Sequence, residues 1–296
     1  MPQAQANAIT IEYETFGRSN GRTLLLIMGL ASQLIAWPKE FCEMLAANGH
    51  FVVRFDNRDV GLSTKLESAE GPDILELMAA LRGQKPLMAP YSLSDMAADA
   101  LGLMDALGLE KAHVCGLSLG GMIAQTMAIE HPERLYSLIS MESSTGEPDL
   151  PAARPEALEA FMSAPPLDRQ GYIRHIGRVF RAFAGQSDHY DQKLEEETAA
   201  QAYDRSFYPM GFVRQLAAIM VSGGRRRALQ TVSVPTLVIH GANDALVPVQ
   251  HGHDTAAAIP GARLLVVEGL GHGLSYPALW DQIVEAITNH TRQASA

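Results

Sequence analysis

The 296-residue chain reads as an α/β protein: a mostly parallel sheet, helices on both of its faces, and a helical insertion late in the chain. Three observations lead there. Short apolar runs of strand length alternate with longer stretches whose apolar residues recur at helical spacing, as crossover units do. The run Thr23 to Met28 (TLLLIM) is apolar without interruption, which suits a strand buried on both faces. From about residue 145 to 230 the rhythm changes: prolines at 148, 151, 155, 165 and 166 precede polar and aromatic helical stretches with no buried-strand run among them.

Taken in order, the alternation of Ile9, Ile11 and Tyr13 predicts an edge strand, and Thr23 to Met28 the first core strand. Trp37, Phe41, Met44 and Leu45 predict a helix stopped by Asn48-Gly49, followed by a strand from Phe51 to Phe55. After a polar, turn-rich stretch, Ser94 or Asp95 caps a helix carrying Met96, Leu101, Met104 and Leu107, which Gly108 closes. Strands follow at Ala112 to Cys115 and Leu135 to Met141, with a helix from Met122 to Ile129 between them. The insertion carries Tyr172, Phe180, Phe183, Tyr203, Phe207, Tyr208, Met210 and Phe212 and reads as a lid on the sheet domain or as extra helices thickening one face. The remaining strands are Thr236 to His240 and Leu264 to Val267, with helices near Val249 to Ala258 and Pro277 to Asn289. Residues 1–144 and 231–296 are thus expected to form one sheet domain, and 145–230 its helical cap.

Charge and composition narrow the partners. With 33 acidic and 23 basic side chains the net charge is -10, a field that repels phosphate backbones and anionic lipid headgroups, so neither nucleic acid nor membrane is expected. Arg225 to Arg227 make a small basic patch that reads as a solvated or salt-bridged face. Cys42 and Cys115 fall in apolar surroundings and read as packed thiols of a reducing compartment. The first residues, MPQAQANAIT, have neither a basic nor an apolar leader segment, and no run of eighteen apolar residues occurs, so a cytoplasmic protein is expected. Oligomeric state is not legible.

Chemistry concentrates where Gly116-Leu117-Ser118-Leu119-Gly120-Gly121 joins a strand to a helix. A serine at such a turn is forced into a strained conformation that lifts its hydroxyl above the sheet's carboxyl end. Side chains at 116 and 120 would collide where strand and helix converge. The first helical N–H groups point at the same place, so that of Leu119 can donate to an oxyanion.

Serine attacks only when a base takes its proton, and the base needs a third group to fix its tautomer. Asp244 lies in the loop after Thr236 to His240, and His272 in the loop after Leu264 to Val267, flanked by glycines that allow close approach to the serine. Loops at the carboxyl ends of parallel strands converge, so Ser118, Asp244 and His272 can meet. Glu142, after Leu135 to Met141, is the rival orienter. His113 and His240 read as strand histidines with structural roles, and His251, His253 and Asp254 lack the spacing for a metal, so neither metal nor cofactor is implied. A second oxyanion donor is expected from Gly29-Leu30-Ala31, with the N–H of Leu30 the candidate.

These residues resemble the α/β-hydrolase superfamily across nearly the whole chain, and within it bacterial esterase-like members, with some likeness to the aclacinomycin methylesterase group. The resemblance is carried by Met28-Gly29-Leu30, by Phe55-Asp56-Asn57-Arg58-Asp59-Val60-Gly61-Leu62-Ser63, by the serine turn, by Gly241-Ala242-Asn243-Asp244 and by Gly271-His272-Gly273. Met28 stands where the family commonly has histidine, and Asp59 where glycine follows the arginine. The resemblance implies the α/β-hydrolase fold: an eight-stranded sheet with one antiparallel strand and a helical cap over the catalytic loops. It further implies that Asp56 and Arg58 tie the loop near the active site and that Gly61 permits a tight turn. Relatives that displace halide or open epoxides carry aspartate at the centre of the turn, so Ser118 points to acyl chemistry.

The expected activity is hydrolysis of carboxylic esters of small to medium, apolar substrates through an acyl-enzyme. Ser118 attacks, His272 moves the proton, Asp244 orients the ring, and Leu119 and Leu30 hold the oxyanion. Carbon–carbon bond, lactone or amide hydrolysis and cofactor-free perhydrolysis use the same triad and stay open, as does a noncatalytic ligand receptor on the scaffold.

Overall fold

The computed structural model describes residues 1–67, 71–81 and 85–294. Its eight strands lie in the order β1-β2-β4-β3-β5-β6-β7-β8. They are β1 (Gln3–Ala6), β2 (Ile9–Phe16), β3 (Arg22–Ile27), β4 (His50–Phe55), β5 (Ala112–Leu117), β6 (Leu135–Met141), β7 (Thr236–Gly241) and β8 (Arg263–Val267). β2 runs antiparallel to both of its neighbours, and every pairing from β4 to β8 is parallel.

The uninterrupted apolar runs are explained by two separate cores. Alternate residues of one strand point to opposite faces. Leu25, Ile27, Val53 and Phe55 pack against α3 (Leu93–Ala106) and α4 (Leu119–Glu130), while Leu24, Leu26, Val52 and Cys115 pack against α1 (Lys39–Ala47) and α11 (Trp280–Ala294). Cys42 and Cys115 are free, buried thiols.

Several element ends differ from the sequence reading, each for a local reason. Ile9 begins not the edge strand but the second one, because Asn7 and Ala8, both at positive φ (46° and 63°), turn the chain into a tight hairpin with β1. The cap of α3 is Ser92, two residues ahead of Ser94: its hydroxyl accepts from Asp95 N–H while the Asp95 carboxylate accepts from Ser92 N–H, a reciprocal capping box. α2 (Ile74–Leu81) occupies part of the stretch read as polar and turn-rich. α4 begins at Leu119, immediately after Ser118. The terminal helix starts at Trp280, behind a 3₁₀ turn at Pro277–Leu279, and runs on past Asn289.

Between β6 and β7 the chain forms α5 (Pro155–Met162), α6 (Arg169–Phe183), α7 (Gln192–Arg205), α8 (Met210–Ser222) and the short α9 (Arg226–Leu229), with no strand among the described residues there; α10 (Gln250–Ala258) follows β7. The basic patch divides: Arg226 pairs with Asp149 and Asp254, but Arg225 is buried and donates to Gln125 Oε1 and the Ser144 carbonyl. Among the described residues no helix is long and apolar enough to cross a membrane.

Candidate active site

Ser118 sits between β5 and α4 with φ 56° and ψ −118°, a conformation that a side chain disfavours and that the turn imposes. A Cβ on Gly116 would run into the Gly120 carbonyl, and one on Gly120 into the Ile27 carbonyl, so both glycines make room for β5, α4 and β3 to meet. Ser118 N–H donates to the Met141 carbonyl at 2.9 Å, and its carbonyl accepts from Ser143 Oγ at 2.8 Å. Leu119, the first residue of α4, carries one of the first-turn N–H groups that no helical carbonyl takes.

Asp244 and His272 meet. The loops after β7 and β8 bring His272 Nδ1 to 2.7 Å from Asp244 Oδ2, both side chains buried. Asp244 Oδ1 accepts from Leu246 N–H (3.0 Å) and Val247 N–H (2.7 Å), and His240 Nε2 holds the Val247 carbonyl at 2.7 Å, so the carboxylate is clamped within its own loop. With Nδ1 engaged by Asp244, the neutral ring presents Nε2 as its acceptor. Burial pushes the His272 pKa down, but the charge and hydrogen bond of Asp244 outweigh it and hold the ring above its ordinary value.

Glu142 belongs to the same cluster. Its Oε2 lies 3.8 Å from His272 Nδ1 and accepts from Gly273 N–H at 2.6 Å. At 2.7 Å Asp244 is the nearer carboxylate to Nδ1, and Glu142 the farther one. Burial, then the charge of Asp244, raise the Glu142 carboxyl to about 8. The donor atoms of Glu142, Asp244 and His272 lie within 4.8 Å of one another, but Nδ1 is engaged as a hydrogen-bond donor rather than a free ligand. Consecutive residues link the loops: Met141 binds the Ser118 backbone, and Glu142 binds the backbone next to His272.

The loop after β3 reaches the same point, since a Cβ on Gly29 would lie 3.3 Å from Ser118 Cβ. Leu30 follows it. Ala31 N–H donates to Gln215 Oε1 of α8 at 2.8 Å, and Asn57 Nδ2 to the Met28 carbonyl at 2.9 Å, a scaffold that needs no histidine at position 28. Asp56 accepts from Leu34 N–H and Leu62 N–H and pairs with Arg205 of α7 at 2.6 Å, tying the loops after β3 and β4 to the insertion. Arg58 ties the loop after β4 to α3 through Asp99, and Asp59 ties it to α8 through Arg214 at 2.8 Å. The glycines beside His272 also serve another purpose than approach to the serine. A Cβ on Gly271 would lie 2.5 Å from Ala184 Cα, at the end of α6.

Of the aromatic residues in the insertion, Phe183 lies edge-on to the His272 ring with centroids 6.0 Å apart, and Phe180, Phe161 and Phe212 extend the cluster. Phe207 packs instead with Tyr172 and Tyr203 inside the insertion. His113 bonds Ser137 within the sheet, and His251 is spent on Ser144 Oγ and the Pro151 carbonyl. Sequence reasoning missed Gln215 and Arg214, whose signal was present: two adjacent polar residues inside the apolar run from Phe212 to Val221.

The fold and this cluster define the class of protein. The chain belongs to the alpha/beta hydrolase fold family, whose match spans residues 22–278, and it is a hydrolytic enzyme of that fold. It is 30% identical to rhodomycin D methylesterase of Streptomyces peucetius over 97% of this chain and 96% of that protein. It is also 31% identical to 2-hydroxy-6-oxononadienedioate/2-hydroxy-6-oxononatrienedioate hydrolase 2 of Pseudomonas putida, over 63% of this chain and 65% of that protein. Among solved structures, a meta-cleavage product hydrolase from Pseudomonas fluorescens superimposes with a TM-score of 0.76 at 21% identity, covering 99% of this chain and 98% of that one.

Proposed function

We propose that this hydrolase opens small, apolar carbonyl compounds by serine catalysis: Ser118 attacks the carbonyl, His272 accepts and returns the proton, and Asp244 holds the ring and stabilises the imidazolium. The observation that carries the reading is the 2.7 Å Asp244–His272 bond in the loops adjoining the strained serine turn. The N–H groups of Leu119 and Leu30 stabilise the oxyanion; Ala31 and Ser32 spend theirs on Gln215 and Gly29, which leaves Leu30 as the donor of that loop. Residues 145–230 serve as the cap, and Phe161, Phe180, Phe183 and Phe212 supply an apolar wall.

Two leaving groups suit this machinery. The Pseudomonas putida relative is named for hydrolysis of a 2-hydroxy-6-oxo acid, a name that contains a ketone and no ester, which supports a carbon leaving group beside a ketone for this chain. Relatives named for such oxo acids, for a semialdehyde and for an enol-lactone support carbon–carbon or lactone cleavage. The ester reading is the second, supported by full-length similarity to the methylesterase. Arg58, Arg205 and Arg214 are paired with Asp99, Asp56 and Asp59, which supports a neutral substrate over a dianionic one for either bond.

The test has two stages. Wild type is expected to be labelled by a fluorophosphonate and Ser118→Ala not; an unlabelled, folded wild type refutes the activated serine. A panel of p-nitrophenyl esters, lactones and vinylogous diketones, ranked by kcat/KM, then identifies the bond.

A further inference from the structure

His272 has two carboxyl groups at one nitrogen, and the proposed mechanism uses one. Asp244 Oδ2 stands 2.7 Å from Nδ1 and Glu142 Oε2 stands 3.8 Å from it. Glu142 is fully buried at the end of β6 with φ 46°, its Oε2 anchors Gly273 N–H, and its Oε1 has no partner among the described residues. A buried carboxyl oxygen without a partner costs stability, and Gln would supply the same acceptor to Gly273 without a titratable proton. The loop geometry therefore leaves the choice of Glu unexplained.

We infer that Glu142 is a second acid for the same histidine: a positioning residue that fixes the His272 loop through Gly273 and assumes the orienting charge when Asp244 cannot supply it. The inference rests on the serine-hydrolase reading above. The titratable groups facing Glu142 are Asp244, His272 and Tyr276. Two carboxylates beside one neutral ring cannot both ionise cheaply, so with Asp244 charged Glu142 keeps its proton at neutral pH. Removing the charge of Asp244 removes that repulsion. Burial, the larger cause, still holds the Glu142 carboxyl up, but without Asp244 its pKa falls, and as pH rises the group ionises with its carboxylate facing Nδ1.

The experiment is a double-mutant cycle read as a pH profile of kcat/KM on a p-nitrophenyl ester, with Ser118→Ala as the reference for Ser118-dependent turnover. Replacing the orienting aspartate by asparagine in a triad with a single acid costs about 10⁴-fold. Here Asp244→Asn is expected to lose only about 10- to 100-fold, with activity rising with pH as Glu142 ionises, and adding Glu142→Gln should bring the loss to about 10⁴-fold and flatten that rise. A full loss in Asp244→Asn alone, or a double variant no worse than the single, overturns the second-acid role. Turnover that survives Ser118→Ala overturns the underlying reading instead. Should Glu142→Gln fail to fold, NMR titration of the His272 ring in wild type decides: a two-step curve is expected of a ring coupled to a titrating carboxyl, and a single step refutes the coupling.

Discussion

Ser118 holds a strained backbone because glycines around it let three elements meet, and the size of that constraint is measurable. Gly116 and Gly108 look alike as isolated letters. A Cβ at 116 would strike the Gly120 carbonyl, whereas Gly108, at φ 68°, has nothing within 4 Å of that position. Gly108→Ala meets only the left-handed backbone penalty and is expected to cost about 1 kcal/mol, while Gly116→Ala must move α4 off β5 and should cost more than about 4 kcal/mol, read from urea midpoints. Equal losses would mean that the turn relaxes freely. The positive-φ turn at Ser118 and the loops that bring Asp244 to His272 were legible in the sequence, because a turn glycine, a strand end and a flanking glycine pair mark them locally. Glu142 was legible as a rival to Asp244, but not which of the two lies nearer the ring: the 2.7 Å and 3.8 Å distances to Nδ1 are set by how β6, β7 and β8 stack in the sheet.

α8 shows what a helix drawn from the insertion does for the core. Its sequence reads as an apolar helix broken by Arg214-Gln215, and those two residues project into the loops after β3 and β4. Gln215 spans both, accepting from Ala31 N–H and donating to the Arg58 carbonyl, each at 2.8 Å. The shape is preserved in Gln215→Leu, but two backbone groups lose their partners, at about 1–3 kcal/mol each. Because the Ala31 bond also holds the segment bearing Leu30, kcat should fall about tenfold with KM little changed, the split expected when a transition-state contact loosens. A rise in KM at constant kcat would assign Gln215 to substrate binding instead. Periodicity found the helices between β6 and β7 but could not orient them, since α7 and α8 bury polar residues whose partners lie on the sheet side, Glu195 on Ser275, Arg214 on Asp59 and Gln215 on Ala31 and Arg58. The N-terminal hairpin escaped notice for a related reason: Gln3–Ala6 has no strand composition and is a strand only because β2 pairs with it.

Across the molecule, the apolar contacts along the seam between residues 145–230 and the rest of the chain are joined by polar contacts that are buried, and one of these carries a pH dependence. Ser187 Oγ holds the Gly269 carbonyl, Asp191 N–H donates to the Ser275 carbonyl at 2.8 Å, and Glu195 of α7 accepts from Ser275 Oγ at 2.6 Å, so α7 is fastened to the segment that follows His272. Burial raises the Glu195 carboxyl to about 7, with only the Ser275 bond opposing. A raised carboxyl pKa means that the folded protein binds this proton more tightly than the unfolded chain does. The contribution is therefore present in full below the ordinary carboxylate range and is lost as pH climbs through about 7. Glu195→Gln retains the acceptor for Ser275 and cannot ionise. It should match wild type in unfolding free energy below about pH 4 and exceed it at pH 8 by roughly 3 kcal/mol, read from urea midpoints, since each tenfold change in proton affinity is worth about 1.4 kcal/mol. Glu142, present in both proteins, tilts each curve alike and cancels in the comparison. A variant less stable than wild type at pH 8 would show that Glu195 is charged and compensated there, and that the seam tightens rather than loosens as the solution turns alkaline.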